Sequence, residues 1–204
     1  MPGLPPGRIT KTALGAIAQG GFCLWEGVKI IRTEFINDDA LDMVLSLLTP
    51  ENRLACQVAI KTGLRIGDIL NIRTEQLKQR MTIREAKTGK ARRVYIPALL
   101  LSRLREQAGD LWVFPGRNPE KPRTRQAVWW DINRAQKALR LNRNIGTHTM
   151  RKVYAVRSYR RSGDLFAVQK ALNHTDPAVT MIYAMADHLS AQRAREGGGR
   201  PSHP

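Results

Sequence analysis

The repeat of apolar residues changes from helical to alternating in the stretch Met81-Thr82-Ile83-Arg84-Glu85-Ala86-Lys87-Thr88-Gly89-Lys90-Ala91-Arg92-Arg93-Val94-Tyr95-Ile96. Met81 and Ile83 alternate with polar neighbours before the turn at residues 87–90, and Val94 and Ile96 do so after it. Alternation on both sides of a glycine-containing turn is typical of a β-hairpin. The stretch therefore predicts two short antiparallel strands.

The sequence on either side of this hairpin has the spacing of amphipathic helices. Asn37-Asp38 precedes an apolar helical stripe, Pro50 suits the first turn of a second helix, and Gly63 ends that helix before a short third one. Further helices are predicted from Pro97, from Thr124, and from about residues 147, 164 and 176. The predicted fold class is mainly α with a small antiparallel β-sheet, an α+β arrangement.

The charge of the chain indicates a polyanionic partner. The 204 residues include 34 Lys and Arg against 17 Asp and Glu, a net charge of +17, and the 42% of hydrophobic residues suffice for a core. The basic residues are concentrated: residues 140–170 hold eight of them and the single acid Asp164. Nucleic acid is the partner class that such a distribution favours.

The sequence gives no sign of a membrane segment, a disulfide framework or a metal site. No apolar run approaches the ~20 residues of a membrane span, and the first ten residues lack the apolar stretch of a secretory signal. Cys23 and Cys56 match no Cys-x-x-Cys spacing, and the four histidines have no ligand-type spacing. We therefore predict a cytoplasmic protein that uses no membrane, metal or cofactor.

Five short segments, in order along the chain, carry residues suited to phosphoryl transfer. Arg65 follows a glycine turn, Lys87 lies in the hairpin turn, and Tyr183 lies nine residues after His174. The segments read Thr62-Gly63-Leu64-Arg65-Ile66-Gly67-Asp68, Lys87-Thr88-Gly89-Lys90, His148-Thr149-Met150-Arg151, Leu172-Asn173-His174 and Tyr183. In this order and spacing, over about residues 37–189, the chain resembles the tyrosine recombinases of the phage-integrase type. The resemblance implies the catalytic-domain fold of that family.

Six residues of these segments also have a chemical interpretation: Arg65, Lys87, His148, Arg151, His174 and Tyr183. Breaking a phosphodiester without metal or water needs a protein nucleophile, a clamp for the phosphate charge and a proton donor for the leaving oxygen. Arg65 and Arg151 suit the clamp because guanidinium forks fit phosphate oxygens and keep their charge. Lys87 is predicted to be the general acid, with His148 assisting proton transfer. The remaining two roles are a hydrogen bond from His174 to the phosphate and attack by Tyr183 to give a 3′-phosphotyrosyl link.

Several assignments have competitors in the sequence. Lys90 competes with Lys87 for the role of proton donor, and His174 could instead satisfy a hydrogen bond in the core. Tyr95, Tyr154 and Tyr159 compete with Tyr183 as the nucleophile. Two departures from the family pattern are Asp68, where many relatives have the Glu that supports the first Arg, and Asn173 in place of Gly. Trp129 and Trp130 are expected in the core and at an interface.

Further basic residues are predicted to contact the DNA. They lie in the hairpin, at the start of the helix that follows Thr124, and along the helix that carries the His-x-x-Arg segment. The predicted DNA-binding residues are Lys90, Arg92, Arg125, Lys152, Arg157, Arg160 and Arg161. Lys152 is expected to point away from the face that holds His148 and Arg151.

The resemblance also implies a domain organisation. Residues 1–36, rich in Pro and Gly, are predicted to be an N-terminal arm, residues 37–189 the catalytic DNA breaking and rejoining domain, and residues 190–204 a flexible tail. About 36 residues are too few for the helical domain that usually precedes the catalytic one, so a naturally short family member is expected.

The predicted function is site-specific DNA recombination: integration, excision or inversion. The alternatives are DNA relaxation of the type IB topoisomerase kind and a catalytically silent DNA-binding regulator. The expected partners are double-stranded DNA with a specific site, a homotetramer assembled on that DNA, and an accessory DNA-bending or directionality protein. The expected setting is the bacterial cytoplasm, associated with the nucleoid, with a plasmid or phage as the encoding element.

Overall fold

The computed structural model describes residues 38–141 and 145–172. Its elements are, in chain order, α1 (Asp38–Ser46), α2 (Pro50–Thr62), α3 (Ile66–Leu70), a 3₁₀ turn (Thr74–Gln76), β1 (Arg80–Arg84), β2 (Ala91–Tyr95), α4 (Ala98–Gln107), α5 (Arg125–Ala138), α6 (Thr147–Ser162) and α7 (Leu165–Ala171). The predicted fold class, mainly helical with one small antiparallel sheet, is confirmed. The arm at 1–36, the tail at 190–204 and the helix predicted near 176 lie outside the described residues, as do His174 and Tyr183.

The helix ends follow from local sequence. Pro50 occupies the first turn of α2, where a missing N–H costs nothing, and Gly63 ends α2 in the left-handed region at φ 65°. The side chain of Thr124 accepts a hydrogen bond from the Ala127 N–H at the start of α5, and that of Asp164 accepts one from Ala167 at the start of α7. The sequence signals at these positions therefore predict the boundaries correctly.

The two predicted strands form the predicted hairpin. β1 and β2 pair antiparallel with Met81 opposite Val94 and Ile83 opposite Arg92. Met81, Ile83 and Val94 are buried in the same core as the helices. The sheet therefore has one face on the core and one in solvent, which is why its sequence alternates.

Helix α2 lies at the centre of the fold and packs against α1, α3, α4 and α6. Its residues Ala55, Cys56, Val58 and Ala59 have no solvent exposure. Burial raises the pKa of the Cys56 thiol to about 12, with a further contribution from the charge of Asp131, so this thiol stays protonated. Among the described residues, no helix has the length and apolar character needed to span a bilayer.

Asp131 on α5 is a buried carboxylate that fixes the start of α2. Its Oδ2 accepts hydrogen bonds from the Thr49 N–H at 2.8 Å and from Asn52 Nδ2 at 2.8 Å, and its Oδ1 accepts from Arg134. Burial opposes ionisation of Asp131, but these hydrogen bonds outweigh it and lower the pKa of the carboxyl group. The contact joins two elements 79 positions apart in sequence and so holds α5, which borders the site, in place.

Trp129 and Trp130 on α5 differ from the part of the expectation that places them in the core. Trp129 is 44% exposed and Trp130 59% exposed, and their rings meet edge to face at 5.0 Å. The inward face of α5 is instead formed by smaller residues such as Val128, Ile132 and Ala135. The tryptophans lie outside this apolar stripe, so helix phase, rather than hydrophobicity, decides their exposure.

Candidate active site

A cleft of about 850 Å³ opens where four elements meet. The start of α3, the turn between β1 and β2, the start of α5 and the start of α6 each contribute to its wall. Four of the six predicted catalytic residues line it: Arg65, Lys87, His148 and Arg151. These residues are separated by up to 86 positions in sequence, so the fold is what brings them together.

Arg65 stands directly before α3, two residues after the turn at Gly63. Its Nη1 donates a hydrogen bond to Glu85 Oε2 at 2.6 Å, and Glu85 is completely buried. The guanidinium remains partly exposed and lines the cleft. The ion pair therefore fixes the direction of Arg65 without removing it from the cleft.

Arg151 on α6 is the most enclosed cation of the site, with 6% of its surface exposed. Its Nη1 donates to the carbonyl of Gly63, and its Nη2 donates to the carbonyl of Leu172. Burial, followed by repulsion from Arg65 and Arg92, lowers the pKa of Arg151 to about 10. A bound anion would stabilise this poorly solvated charge, so the site is preformed for a negative ligand.

His148 lies in the first turn of α6, where unpaired N–H groups and the helix dipole favour an anion. Partial burial is the first cause that lowers its pKa, followed by the positive charges of Arg151, Lys152, Arg65 and Lys87. Its ordinary pKa is 6.5, so the imidazole is neutral at pH 7 and can accept a proton. Lys152 lies one helical turn beyond His148 and its charge contributes to this lowering, but Lys152 is not among the residues that line the cleft.

Lys87 and Lys90 occupy different places on the same turn. Both are exposed, but Lys87 lines the cleft together with Ala86, whereas Lys90 is not among the lining residues. Lys90 follows Gly89, which adopts φ 67°. The turn geometry therefore favours Lys87 over Lys90 for a role in the cleft.

Glu85 is the site residue that sequence reasoning missed. The support expected from Asp68 for Arg65 comes instead from Glu85, because Asp68 Oδ1 accepts the backbone N–H of Ala86 at 3.0 Å. A signal was present in the sequence: Glu85 follows Met81 and Ile83 in the inward phase of the strand. An acidic residue in that phase predicts a buried charge with a basic partner.

The remaining predicted DNA-binding residues separate into two groups. Arg125 lines the cleft, and Arg160 and Arg161 are exposed near the end of α6. Arg92 differs from the prediction, because its largely buried guanidinium donates to the carbonyls of Thr62 and Gly63 at the end of α2. Arg157 lies outside the cleft, where it forms an exposed ion pair with Asp38 at 2.8 Å and borders a separate groove between α1, α2 and α4.

The three competing tyrosines have other surroundings. Tyr154 packs against Gly63, and the Arg92 guanidinium lies 5.8 Å from the centre of its ring. Tyr95 is on the solvent face of β2, where its hydroxyl accepts a hydrogen bond from Gln79 Nε2 at 3.2 Å. Tyr159 packs on a small apolar cluster formed by α6 and α7. In the described part of the chain, none of the three lines the cleft.

Proteins of known family resemble this chain in sequence. The model of the phage integrase family matches residues 35–189. The chain is 32% identical over 141 residues to the probable integrase/recombinase YoeC of Bacillus subtilis, a match that covers 66% of this chain and 77% of that protein. It is 27% identical over 160 residues to the tyrosine recombinase XerD of Lacticaseibacillus casei, covering 69% of this chain and 51% of XerD.

A solved structure shows the same fold. The XerH site-specific recombinase, bound to its palindromic difH substrate in a post-cleavage complex, superposes with a TM-score of 0.64 at 22% identity, covering 80% of this chain and 51% of XerH. The chain thus spans about half the length of the XerD and XerH proteins. The match of the family model, the similarity to YoeC and the shared fold agree with the cleft described above: the chain belongs to the phage integrase family, whose members include the tyrosine recombinases.

Proposed function

We propose that this protein is a site-specific DNA recombinase that cuts and rejoins DNA through a covalent tyrosine intermediate. The observation that carries the proposal is the convergence of Arg65, Lys87, His148 and Arg151 on one cleft. Two guanidinium groups, an ammonium group and a neutral imidazole are the set that a phosphodiester needs for charge stabilisation and proton transfer.

In the proposed first step, the Tyr183 oxygen attacks the scissile phosphorus and the bond from phosphorus to the 5′ oxygen breaks. The tyrosine proton passes to the neutral His148, and the leaving 5′ oxygen takes a proton from the Lys87 ammonium. Arg65 and Arg151 stabilise the charge on the non-bridging oxygens, and His174 donates a further hydrogen bond. Ionising a tyrosine at pH 7 costs about 4 kcal/mol, which nearby cations reduce.

The product of this step is a 3′-phosphotyrosyl link and a free 5′-hydroxyl group. The link conserves the energy of the phosphodiester, so a 5′-hydroxyl from another strand can attack it, release Tyr183 and complete the exchange. The proposed steps use no metal or cofactor.

The proposed partner is duplex DNA that carries a specific site. The XerH structure contains a recombinase on its DNA substrate, and this chain has the basic excess that DNA binding requires. Arg125, Lys152, Lys90, Arg157, Arg160 and Arg161 are the proposed DNA contacts; Arg92 is not, because its guanidinium is largely buried and donates to backbone carbonyls. A homotetramer on DNA, an accessory bending or directionality protein, and a location in the cytoplasm at the nucleoid complete the proposal.

The test is to trap the covalent intermediate in cells. Cells that contain the DNA site and express the full chain are lysed in denaturant, and the protein is recovered with any attached DNA. We expect DNA on the wild type and none on Tyr183→Phe, and sequencing the attached ends gives the cleaved site. Adduct of equal yield from Tyr183→Phe, or none from the wild type, would contradict the proposal.

The His148 pKa predicts how DNA affinity varies with pH. The pKa lies below 6.5 in the free protein, and a phosphate in the cleft raises it because the anion favours imidazolium. Binding therefore takes up a proton, so affinity rises as pH falls through the range between the raised pKa of His148 in the complex and its lower pKa in the free protein, and it levels off below that range. Titration of labelled duplex DNA at constant ionic strength measures this rise, and His148→Gln is expected to reduce it. An identical rise in that variant would contradict the prediction.

A further inference from the structure

Glu85 connects two parts of the cleft through a single oxygen atom. Its Oε2 accepts hydrogen bonds from Arg65 Nη1 at 2.6 Å and from Thr88 Oγ1 at 3.0 Å. Arg65 belongs to the turn before α3, whereas Thr88 is the neighbour of Lys87 in the hairpin turn. One buried carboxylate therefore holds the guanidinium of the clamp and the turn that presents the lysine.

The backbone of Glu85 also closes this turn. Its N–H donates to the carbonyl of Lys90 at 3.0 Å, and its carbonyl accepts from the N–H of Gly89 at 2.8 Å. A reciprocal contact comes from the other side, because Asp68 on α3 accepts the N–H of Ala86 at 3.0 Å. The hairpin turn that carries Lys87 and the turn that carries Arg65 are thus joined through two carboxylates, those of Glu85 and Asp68.

The charge of Glu85 acts on the other cations as well. Arg92 Nη1 lies 3.9 Å from Glu85 Oε1. Around Arg151, the repulsion from Arg65 and Arg92 is opposed by attraction to Glu85 and then to Asp68. Glu85 therefore lets three guanidinium groups share a small volume before any phosphate is present.

We propose that Glu85 is a positioning residue for DNA cleavage, which sets the distance between the Arg65 clamp and the Lys87 proton donor. This inference rests on the proposed function, since it concerns the same reaction. Glu85 is completely buried and acts through Arg65 and Thr88. Removing the Glu85 carboxylate therefore changes the positions of the reacting groups more than it changes the affinity of the protein for DNA.

Two variants separate the two contacts. Glu85→Gln removes the charge that holds Arg65 and weakens the contact with Thr88. Thr88→Val leaves the Arg65 contact in place and removes the hydrogen bonds of the Thr88 hydroxyl with Glu85 and with the Lys90 N–H, both within the hairpin turn. Glu106→Gln is the matched control, because Glu106 is an exposed acid on α4 whose loss changes the net charge by the same amount. The substrate is a synthetic duplex that carries the site recovered with the wild type, in a normal form and in a form with sulfur at the scissile 5′ position.

DNA affinity and the rate of covalent complex formation are measured separately. We expect Glu85→Gln to bind DNA at least as tightly as Glu106→Gln but to cleave bound DNA about 10²-fold more slowly, the usual cost of misplacing reacting groups by about 1 Å. The sulfur leaving group needs no proton, so it should restore cleavage by Thr88→Val fully. It should restore cleavage by Glu85→Gln only in part, because the Arg65 contact stays broken.

Three results would overturn the proposal while leaving the proposed function intact, since the wild type and Glu106→Gln would still cleave. These are normal cleavage of bound DNA by Glu85→Gln, equal losses of affinity and cleavage in that variant, and no rescue of Thr88→Val by the sulfur substrate. If a melting curve shows that Glu85→Gln is unfolded, Thr88→Val decides alone: a loss that sulfur rescues supports the proposal, and the absence of a loss overturns it.

Discussion

Lys87→Ala is expected to slow covalent complex formation by about 10²- to 10⁴-fold, the range that a general acid contributes. The reason is that the 5′ oxygen leaves poorly as an alkoxide and needs a proton as its bond to phosphorus breaks. A guanidinium is in general a poor proton donor, and the Nη1 and Nη2 groups of Arg151 already donate to the carbonyls of Gly63 and Leu172. The measurement is the rate of covalent complex formation on a duplex carrying the cleaved site, at saturating protein.

The sulfur-substituted duplex makes this prediction specific to proton donation. A thiol has a pKa near 8.5, so a 5′ thiolate leaves readily without an acid. Lys87→Ala should therefore cleave the sulfur duplex at close to the wild-type rate. The matched control is Lys90→Ala, three residues further along the same turn, which should cleave the normal duplex well. If Lys90→Ala showed the large, sulfur-rescued loss instead, the acid would be Lys90.

Gly63→Ala is expected to lower the free energy of unfolding by about 2–5 kcal/mol, from the left-handed backbone and from overpacking. Gly63 has φ 65°, and a Cβ atom placed there would lie 2.4 Å from Cδ1 of Tyr154. The carbonyl of Gly63 also accepts from Arg92 and Arg151. Movement at this position would therefore displace the clamp, and cleavage by the folded fraction should fall as well.

The control for Gly63→Ala is Gly163→Ala at the end of α6. Gly163 has φ 66°, but a Cβ atom there would meet nothing within 4 Å. Gly163→Ala should lower the free energy of unfolding only by the cost of the left-handed backbone, about 1–2 kcal/mol. Its cleavage of DNA should be normal. Denaturant unfolding curves of both variants give the comparison. Equal losses of stability would contradict the role assigned to the contact with Tyr154.

The sequence predicts the fold well because its local signals are unambiguous. The alternation in residues 81–96 gives both strands and their turn, and Pro50 and Gly63 mark the ends of α2. The four described catalytic candidates could also be named in advance, since each lies in a short segment with a recognisable spacing. Their convergence on one cleft depends on packing between elements distant in sequence.

The assignments that changed involve charged residues whose direction depends on tertiary contacts. Arg92 looks like one more cation in a basic hairpin, but it shares the inward phase of Val94 and Ile96 and faces Ile83 across the sheet. Glu85 lies in the inward phase of the facing strand. Because Glu85 and Arg92 lie in the inward phases of two paired strands, the sequence pattern predicts a buried contact between them. The phase of α5 likewise decides that Trp129 borders the cleft.

We propose that the cationic cleft holds the phosphate that Tyr183 attacks. To identify the attacking group, the trapped protein–DNA adduct is digested with protease and nuclease, and the modified peptide is analysed by mass spectrometry. We expect a nucleotide joined through its 3′-phosphate to the Tyr183 oxygen. Attachment to Tyr95, Tyr154 or Tyr159, or a link through a 5′-phosphate, would contradict it.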